Sequence, residues 1–366
     1  MENLSKEGPV GDLAIIGTRG TEKMLSAIEK YIGEWRGEVE RYTVNVLLPR
    51  FGTGEAKGLL TESLRGKDVF IIADCYNYGV EYQMYGMRVP MSPDEHYQDV
   101  KRIISAIGGK AARISVIMPM LYESRQHRSA GRESQDCAVM LQELTNMGVQ
   151  NIMTFDAHDD RVRNAIPLRG FDNLMPVYQM LKAFVKSEHD IDIRNTMIIS
   201  PDEGALRRDM YYSSVLGVKL GMFYKRRDYT VVKDGRNPIV AHEYLGEDVK
   251  GRDLIIVDDI ISSGESFLHV LDKLKSRGAG RVFGFFTFGL FCNGYDAFEE
   301  CYQNGMFHRV YTTNSVYIPD VLRAKEWYRE VDVLKYIAYY IEAVNTNRSV
   351  GAIIDPTARI HRLLGK

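Results

Sequence analysis

The sequence predicts an α/β protein made of two halves, each a mostly parallel sheet flanked by helices. Three observations predict it. Short, continuously apolar runs alternate with longer segments of helical periodicity, as in strands buried on both faces and joined by right-handed crossovers. An apolar run ending in acidic residues occurs twice, at Ile152–Asp160 and Leu254–Asp259. The length of 366 residues suits two cores better than one.

In chain order, strands are expected at Leu13–Ile16, Asp68–Ile72, Ile114–Met118, Ile152–Phe155, Met197–Ile199, Leu254–Val257 and Val282–Phe288. Helices are expected at Thr21–Trp35, Asp136–Met147 and Phe267–Ser276. In the last of these, Phe267, Val270, Leu271 and Leu274 recur at helical spacing on one face. A loop with Gly170, Asn173 and Pro176 marks the seam, which divides the chain into domains 1–174 and 175–366. The tail from Tyr328 to Leu364 reads as helix plus a short extended piece.

Composition excludes several classes. The chain is 45% hydrophobic and 26% charged, with a formal net charge of -2. No global basic field recruits nucleic acid or an anionic membrane. The longest apolar stretch, Val282–Phe291, falls well short of the about 20 residues that span a bilayer. The N-terminus lacks the basic-then-apolar order of a secretory signal. Cys75, Cys137, Cys292 and Cys301 form no CxxC pair, which argues against zinc or a disulfide framework. The expectation is a reduced, cytoplasmic chain.

The most informative segment is Asp253–Ser266, DLIIVDDIISSGES. A buried strand ends in Asp258 and Asp259, a Ser/Gly turn follows, and an amphipathic helix begins. A turn that opens a helix offers unpaired backbone N–H groups and the positive end of a dipole, which together suit phosphate. Ser262, Ser263 and Ser266 add hydroxyl donors, and Gly264 permits the tight turn. Two adjacent carboxylates suit vicinal sugar hydroxyls. The other reading is a plain βα turn in which Asp and Ser cap the helix.

This segment resembles the phosphoribosyl-pyrophosphate loop shared by phosphoribosyltransferases and phosphoribosyl pyrophosphate (PRPP) synthetases. Further segments resemble the synthetases, in the family's order. Arg50–Glu55, RFGTGE, is similar to a flap that contacts ATP from the neighbouring subunit, with Thr53 where the family has Asp. Tyr122–Arg128, YESRQHR, is similar to a nucleotide-binding segment, with His127 in place of Asp. Thr154–Asp160 carries His158, and Ile199–Ala205, ISPDEGA, carries Asp202, with Ala205 for a second glycine. Phe223–Asp228, FYKRRD, resembles the family's catalytic Asp-Lys-Arg-Arg, with Tyr224 for Asp. Thr313–Pro319 is similar to a further family segment.

The resemblance implies two phosphoribosyltransferase-like domains and transfer of the pyrophosphoryl group of ATP to ribose 5-phosphate. It implies Lys225 and Arg227 as catalytic cations, with Asp228–Asn237 as a flexible catalytic loop. Thr53, Glu55, Arg125 and Gln126 would bind ATP. Asp258, Asp259, Ser262, Ser263, Gly264, Glu265 and Ser266 would bind ribose 5-phosphate, and His158 and Asp202 would hold Mg2+. A dimer or hexamer is implied, because a flap completes its neighbour's site. A phosphoribosyltransferase, or a regulatory subunit that has lost activity, would share parts of this pattern. Asn77–Glu95 reads as an insertion into the family pattern, and a surface loop is expected there.

Overall fold

Uninterrupted apolar runs become strands buried along their length. The computed structural model describes residues 8–37, 41–129, 131–227 and 239–365, with the backbone alone described at 225–227, 239–242 and 352. The first part of the chain forms β1 (Leu13–Gly17), α1 (Glu22–Arg36), β2 (Val46–Leu47), β3 (Leu59–Leu60), β4 (Asp68–Ile72), β5 (Glu81–Met84), β6 (Met87–Pro90) and α2 (Pro93–Ile107). It continues through β7 (Arg113–Ile117), α3 (Asp136–Asn146), β8 (Asn151–Phe155) and β9 (Gly170–Leu174). The second part forms α4 (Val177–Ser187), β10 (Thr196–Ser200), α5 (Leu206–Leu216), β11 (Lys219–Arg227), β12 (Ile239–Leu245), β13 (Asp253–Ile261), α6 (Glu265–Ser276), β14 (Val282–Gly289) and α7 (Asp296–Gln303). It ends with β15 (Arg309–Thr313), α8 (Asp320–Arg323), β16 (Tyr328–Val331), α9 (Leu334–Asn345), α10 (Gly351–Ile354) and α11 (Thr357–Leu363).

Contacts divide the chain into two units. The first holds Met1–Pro176 together with Asn314–Tyr317 and Asp332–Asp355; the second holds the rest. The sequence reading gave 175–366 wholly to the second domain, whereas α9 and α10 pack with the first unit.

In the first unit the sheet order is β1-β4-β7-β8-β9, all in parallel register. Helix α1 turns Met24, Leu25, Ile28 and Ile32 inward at helical spacing. Helix α9 covers α1, and Trp35 stacks on Tyr339 with centroids 4.2 Å apart. Buried Asp68 takes two hydrogen bonds from Arg113, at 2.9 and 2.6 Å, and one from Asn345 of α9 at 2.9 Å. The segment expected as a surface loop instead contains an antiparallel hairpin, β5–β6. Ser92 and Glu95 then form a reciprocal capping box with Pro93 opening α2.

In the second unit the order is β12-β11-β10-β13-β14-β15-β16, parallel except for the edge strand β12. From β10 the chain adds β11 on one side and later strands on the other. The order therefore reverses between β10 and β13, the place where open parallel sheets bind ligands beyond their carboxyl ends. Among the described residues, no helix is long and apolar enough to cross a membrane.

Candidate active site

Strand β13 is buried through Val257, and Asp258 is its first partly exposed residue past that core. Its neighbour β10 pairs Ile199 with Ile256. The β10 loop carrying Pro201 and Asp202 and the end of β13 carrying Asp258 therefore share one sheet edge. Between them opens a cavity of about 110 Å3, lined by Pro201, Asp258 and the turn Ser262–Ser266. Sequence-predicted Asp258, Ser262, Ser263, Gly264, Glu265 and Ser266 all border it.

The turn is held from below. Leu290 N–H donates to the Ile261 carbonyl at 2.9 Å, and Cys292 N–H to the Ser262 carbonyl at 2.9 Å. Gly264 sits at φ +84°, and Leu268 N–H reaches its carbonyl at 2.9 Å to start α6. The first-turn N–H groups of this helix point out of its N-terminus without intrahelical partners. Ser262 Oγ lies 3.5 Å from the exposed Cys292 Sγ.

The carboxylates are braced unequally. Asp258 Oδ1 accepts the Asp259 N–H at 2.9 Å, and Asp259 Oδ1 accepts the Ile260 N–H at 3.0 Å. Asp259 is buried. Burial raises the Asp258 pKa well above the carboxylate range, and the Asp259 charge adds to the rise. Arg208 opposes it, with Nη1 3.3 Å from Asp258 Oδ1 and Nη2 3.9 Å from Asp259 Oδ2. Sequence reading missed Arg208. In a tandem Arg207–Arg208 at the start of a helix it reads as a solvated charge, yet its side chain is only 10% exposed.

The other expected cations lie on β11. Ser200 pairs with Met222, so Lys225 and Arg227 follow beyond the carboxyl end of β10, on the edge that also carries Asp258. Strand β11 stands two positions from β13 in the sheet, with β10 between them. The expected loop Asp228–Asn237 lies outside the described residues. Ala205, which replaces a family glycine, has φ -80° and ψ -15°, a right-handed conformation that needs no glycine. Asp202 Oδ1 accepts the Gly204 N–H at 2.9 Å.

In the first unit, the segments with Arg125–Gln126 and His158 follow the neighbouring parallel strands β7 and β8. Arg125, Gln126 and His158 are exposed. The structure brings the two segments together through His127, whose ring lies 5.3 Å from that of His158 and whose Nε2 lies 3.6 Å from Asp159 Oδ2. Burial and the neighbouring His158 lower the His127 pKa. The flap turns back on itself, with Phe51 N–H donating to the Glu55 carbonyl at 2.7 Å and Thr53 Oγ1 to Glu55 Oε2 at 3.0 Å. Hairpin β5–β6 props it, as Tyr85 N–H donates to the Gly52 carbonyl at 2.8 Å. Arg50 belongs to the scaffold: it is buried and makes bonds of 2.8 and 2.7 Å to Asp99.

Among the described residues, no group of three or more His, Cys, Asp and Glu side chains is gathered as for a metal. The donor chemistry that is present is oxygen-rich around Asp202 and Asp258. It suits Mg2+, which takes one or two carboxylates and completes its shell with water and substrate phosphates.

Comparison with known proteins gives the family. Residues 13–148 match the N-terminal domain of ribose phosphate pyrophosphokinase. Residues 173–286 match the phosphoribosyl transferase domain, and residues 230–354 the phosphoribosyl synthetase-associated domain. This chain belongs to the PRPP synthetase family. The ribose-phosphate pyrophosphokinase of Staphylococcus saprophyticus is 26% identical over 354 residues, covering 96% of this chain and all of the relative. That of Agrobacterium fabrum is 28% identical over 284 residues, covering 77% of this chain and 81% of its own. In fold, the chain is similar to PRPP synthetase from Mycobacterium smegmatis, with a TM-score of 0.73 at 20% identity over 92% of this chain and 99% of the other.

Proposed function

We infer that this protein is a ribose-phosphate pyrophosphokinase, converting ATP and ribose 5-phosphate into PRPP and AMP. The observation that carries the reading is the cavity between Asp258 and a helix-opening Ser/Gly turn, at the switch point of a sheet in which β11, next to β10, ends in Lys225–Arg227. The match of residues 13–148 to the pyrophosphokinase N-terminal domain favours it over a phosphoribosyltransferase.

In this reading the turn Ser262–Ser266 receives the 5-phosphate on backbone N–H groups and serine hydroxyls. Asp258 and Asp259 accept hydrogen bonds from the ribose hydroxyls. Arg125, Gln126, Thr53 and Glu55 hold ATP. The C1 hydroxyl oxygen forms a bond to the β-phosphorus while the bond from that phosphorus to the α,β-bridging oxygen breaks. AMP leaves with that oxygen, and the hydroxyl proton is released. Lys225 and Arg227 stabilise charge on the attacked phosphoryl group. Positioning and electrostatics thus supply most of the acceleration. Asp202 of the second unit and His158 of the first are each proposed as a Mg2+ ligand, and bound Mg2+ would neutralise phosphate charge. The working state we propose is a cytoplasmic homo-oligomer, a dimer or hexamer.

The test is AMP release when ATP and ribose 5-phosphate are supplied without any nucleobase. AMP formation dependent on both substrates is expected. Its absence, in protein shown to be folded, overturns the reading and favours a regulatory subunit.

A further inference from the structure

We propose that Arg208 is a positioning residue for the sugar: it holds Asp258 and Asp259 in the orientation in which they accept the ribose hydroxyl hydrogens. The inference rests on the function proposed above.

Asp258 and Asp259 are consecutive on β13, so a regular strand sends their side chains to opposite faces. A vicinal diol needs two acceptors turned to one side. Arg208 enters from the first turn of α5, the helix that follows the Asp202 loop, and its guanidinium meets both carboxylates with different nitrogens, at 3.3 and 3.9 Å. A planar fork can span two carboxylates in this way, whereas a lysine ammonium is a point charge. On Asp258, the Arg208 and Asp259 N–H contacts both fall on Oδ1.

The electrostatics agree. Two neighbouring carboxylates with little access to water repel each other, and one responds by turning away. Turning away removes a hydroxyl acceptor from the sugar's side. Arg208, itself largely shielded from water, offsets the repulsion before any substrate arrives. By meeting both side chains, Arg208 limits how far either can turn, and less ordering remains for substrate binding.

The experiment uses the full chain, R208Q and R208K, with isothermal titration of ribose 5-phosphate and of 2-deoxyribose 5-phosphate in the absence of nucleotide. The wild type is expected to prefer the ribose compound. In R208Q the ribose 5-phosphate Kd is expected to rise by about 10- to 100-fold, the loss of a charged hydrogen-bonding partner. The discrimination between the two sugars should collapse, while the KM for ATP changes less than about twofold. R208K, which keeps the charge but loses the fork, should fall between. A merely structural role would weaken both sugars alike and leave their ratio intact. Wild-type discrimination retained in R208Q overturns the role of Arg208 alone. If R208Q does not fold, full discrimination in R208K does the same. Failure of the wild type to bind ribose 5-phosphate sinks the proposed function, and this inference with it.

Discussion

Replacing Gly264 by alanine sets two costs against the phosphate turn at once. The residue lies at φ +84°, where an L side chain clashes with its own backbone at about 1–2 kcal/mol. An added Cβ would also stand 2.2 Å from Cζ and 2.7 Å from Cε2 of Phe298. That ring has little room to yield. Phe298 is 1% exposed and lies between Phe291, centroid 5.0 Å away, and Trp327, stacked at 5.5 Å. Overpacking of this kind adds about 1–3 kcal/mol. Together the change should cost about 2–5 kcal/mol, or be relieved by displacing the turn. Gly294 supplies the control: it lies at φ +78° with nothing within 4 Å of its added Cβ, so Gly294→Ala should show the backbone cost alone. Denaturant midpoints of both variants and ribose 5-phosphate titration of each form the assay. Gly264→Ala is expected to lose more stability, more sugar-phosphate affinity, or both. Equal midpoints and equal affinities would refute the claim that Phe298 fixes the turn.

Lys225→Ala should lose most turnover while ribose 5-phosphate binding largely persists; equal loss of both counts against its role in transfer. Arg50→Ala strands buried Asp99 with Arg102 as remaining counter-ion, so a loss of about 3–5 kcal/mol in chemical denaturation is expected, and an unchanged midpoint would exclude the buried pair as a scaffold. Asp74 is buried, which raises its pKa from 3.8 to about 7, against N–H donors from Tyr76 and Tyr317 at 3.1 and 2.6 Å. Because the folded protein holds that proton more tightly, its stabilising contribution is complete at low pH and lost as pH rises through about 7. Stability should therefore fall between about pH 4 and 7 more steeply in the wild type than in Asp74→Asn, by up to about 4 kcal/mol; parallel pH slopes would exclude it. Iodoacetamide should label exposed Cys292 first, since Cys75 and Cys137 are buried and burial pushes the Cys137 thiol up to about 12. Ribose 5-phosphate should slow that labelling, and mass spectrometry reads both outcomes.

Most of the framework was legible because burial on both faces leaves a plain trace. Asp68–Ile72 and the start of Val282–Phe288 fall where the apolar runs place them, and Phe267, Val270, Leu271 and Leu274 are the buried face of α6. The acidic strand end and the Ser/Gly turn were equally readable, since a turn that opens a helix needs particular residues at fixed offsets. Three features were not. Hairpin β5–β6 has strands of four residues joined at Tyr85–Gly86, too short for alternation to stand out. The flap's Arg50 gave no sign of its scaffold role, because its partner Asp99 lies on α2 and no local pattern links them. Arg208 escaped for the same reason: its partners stand 50 residues further along the chain, and only packing makes a helix arginine a buried one.

The return of α9 to the first unit has a consequence for biosynthesis. Helix α9 supplies Tyr340 to Asp172 at 2.8 Å, Glu342 to Arg36 at 2.8 Å, and the Val344 carbonyl to Arg113 at 2.8 Å. A nascent chain that has emerged only as far as residue 176 lacks all three, and the apolar side of α1 facing α9 stays wet. The N-terminal half therefore cannot mature while the ribosome is still making the second. A truncation product ending at the seam should be a client for chaperones and proteases, not a free-standing domain.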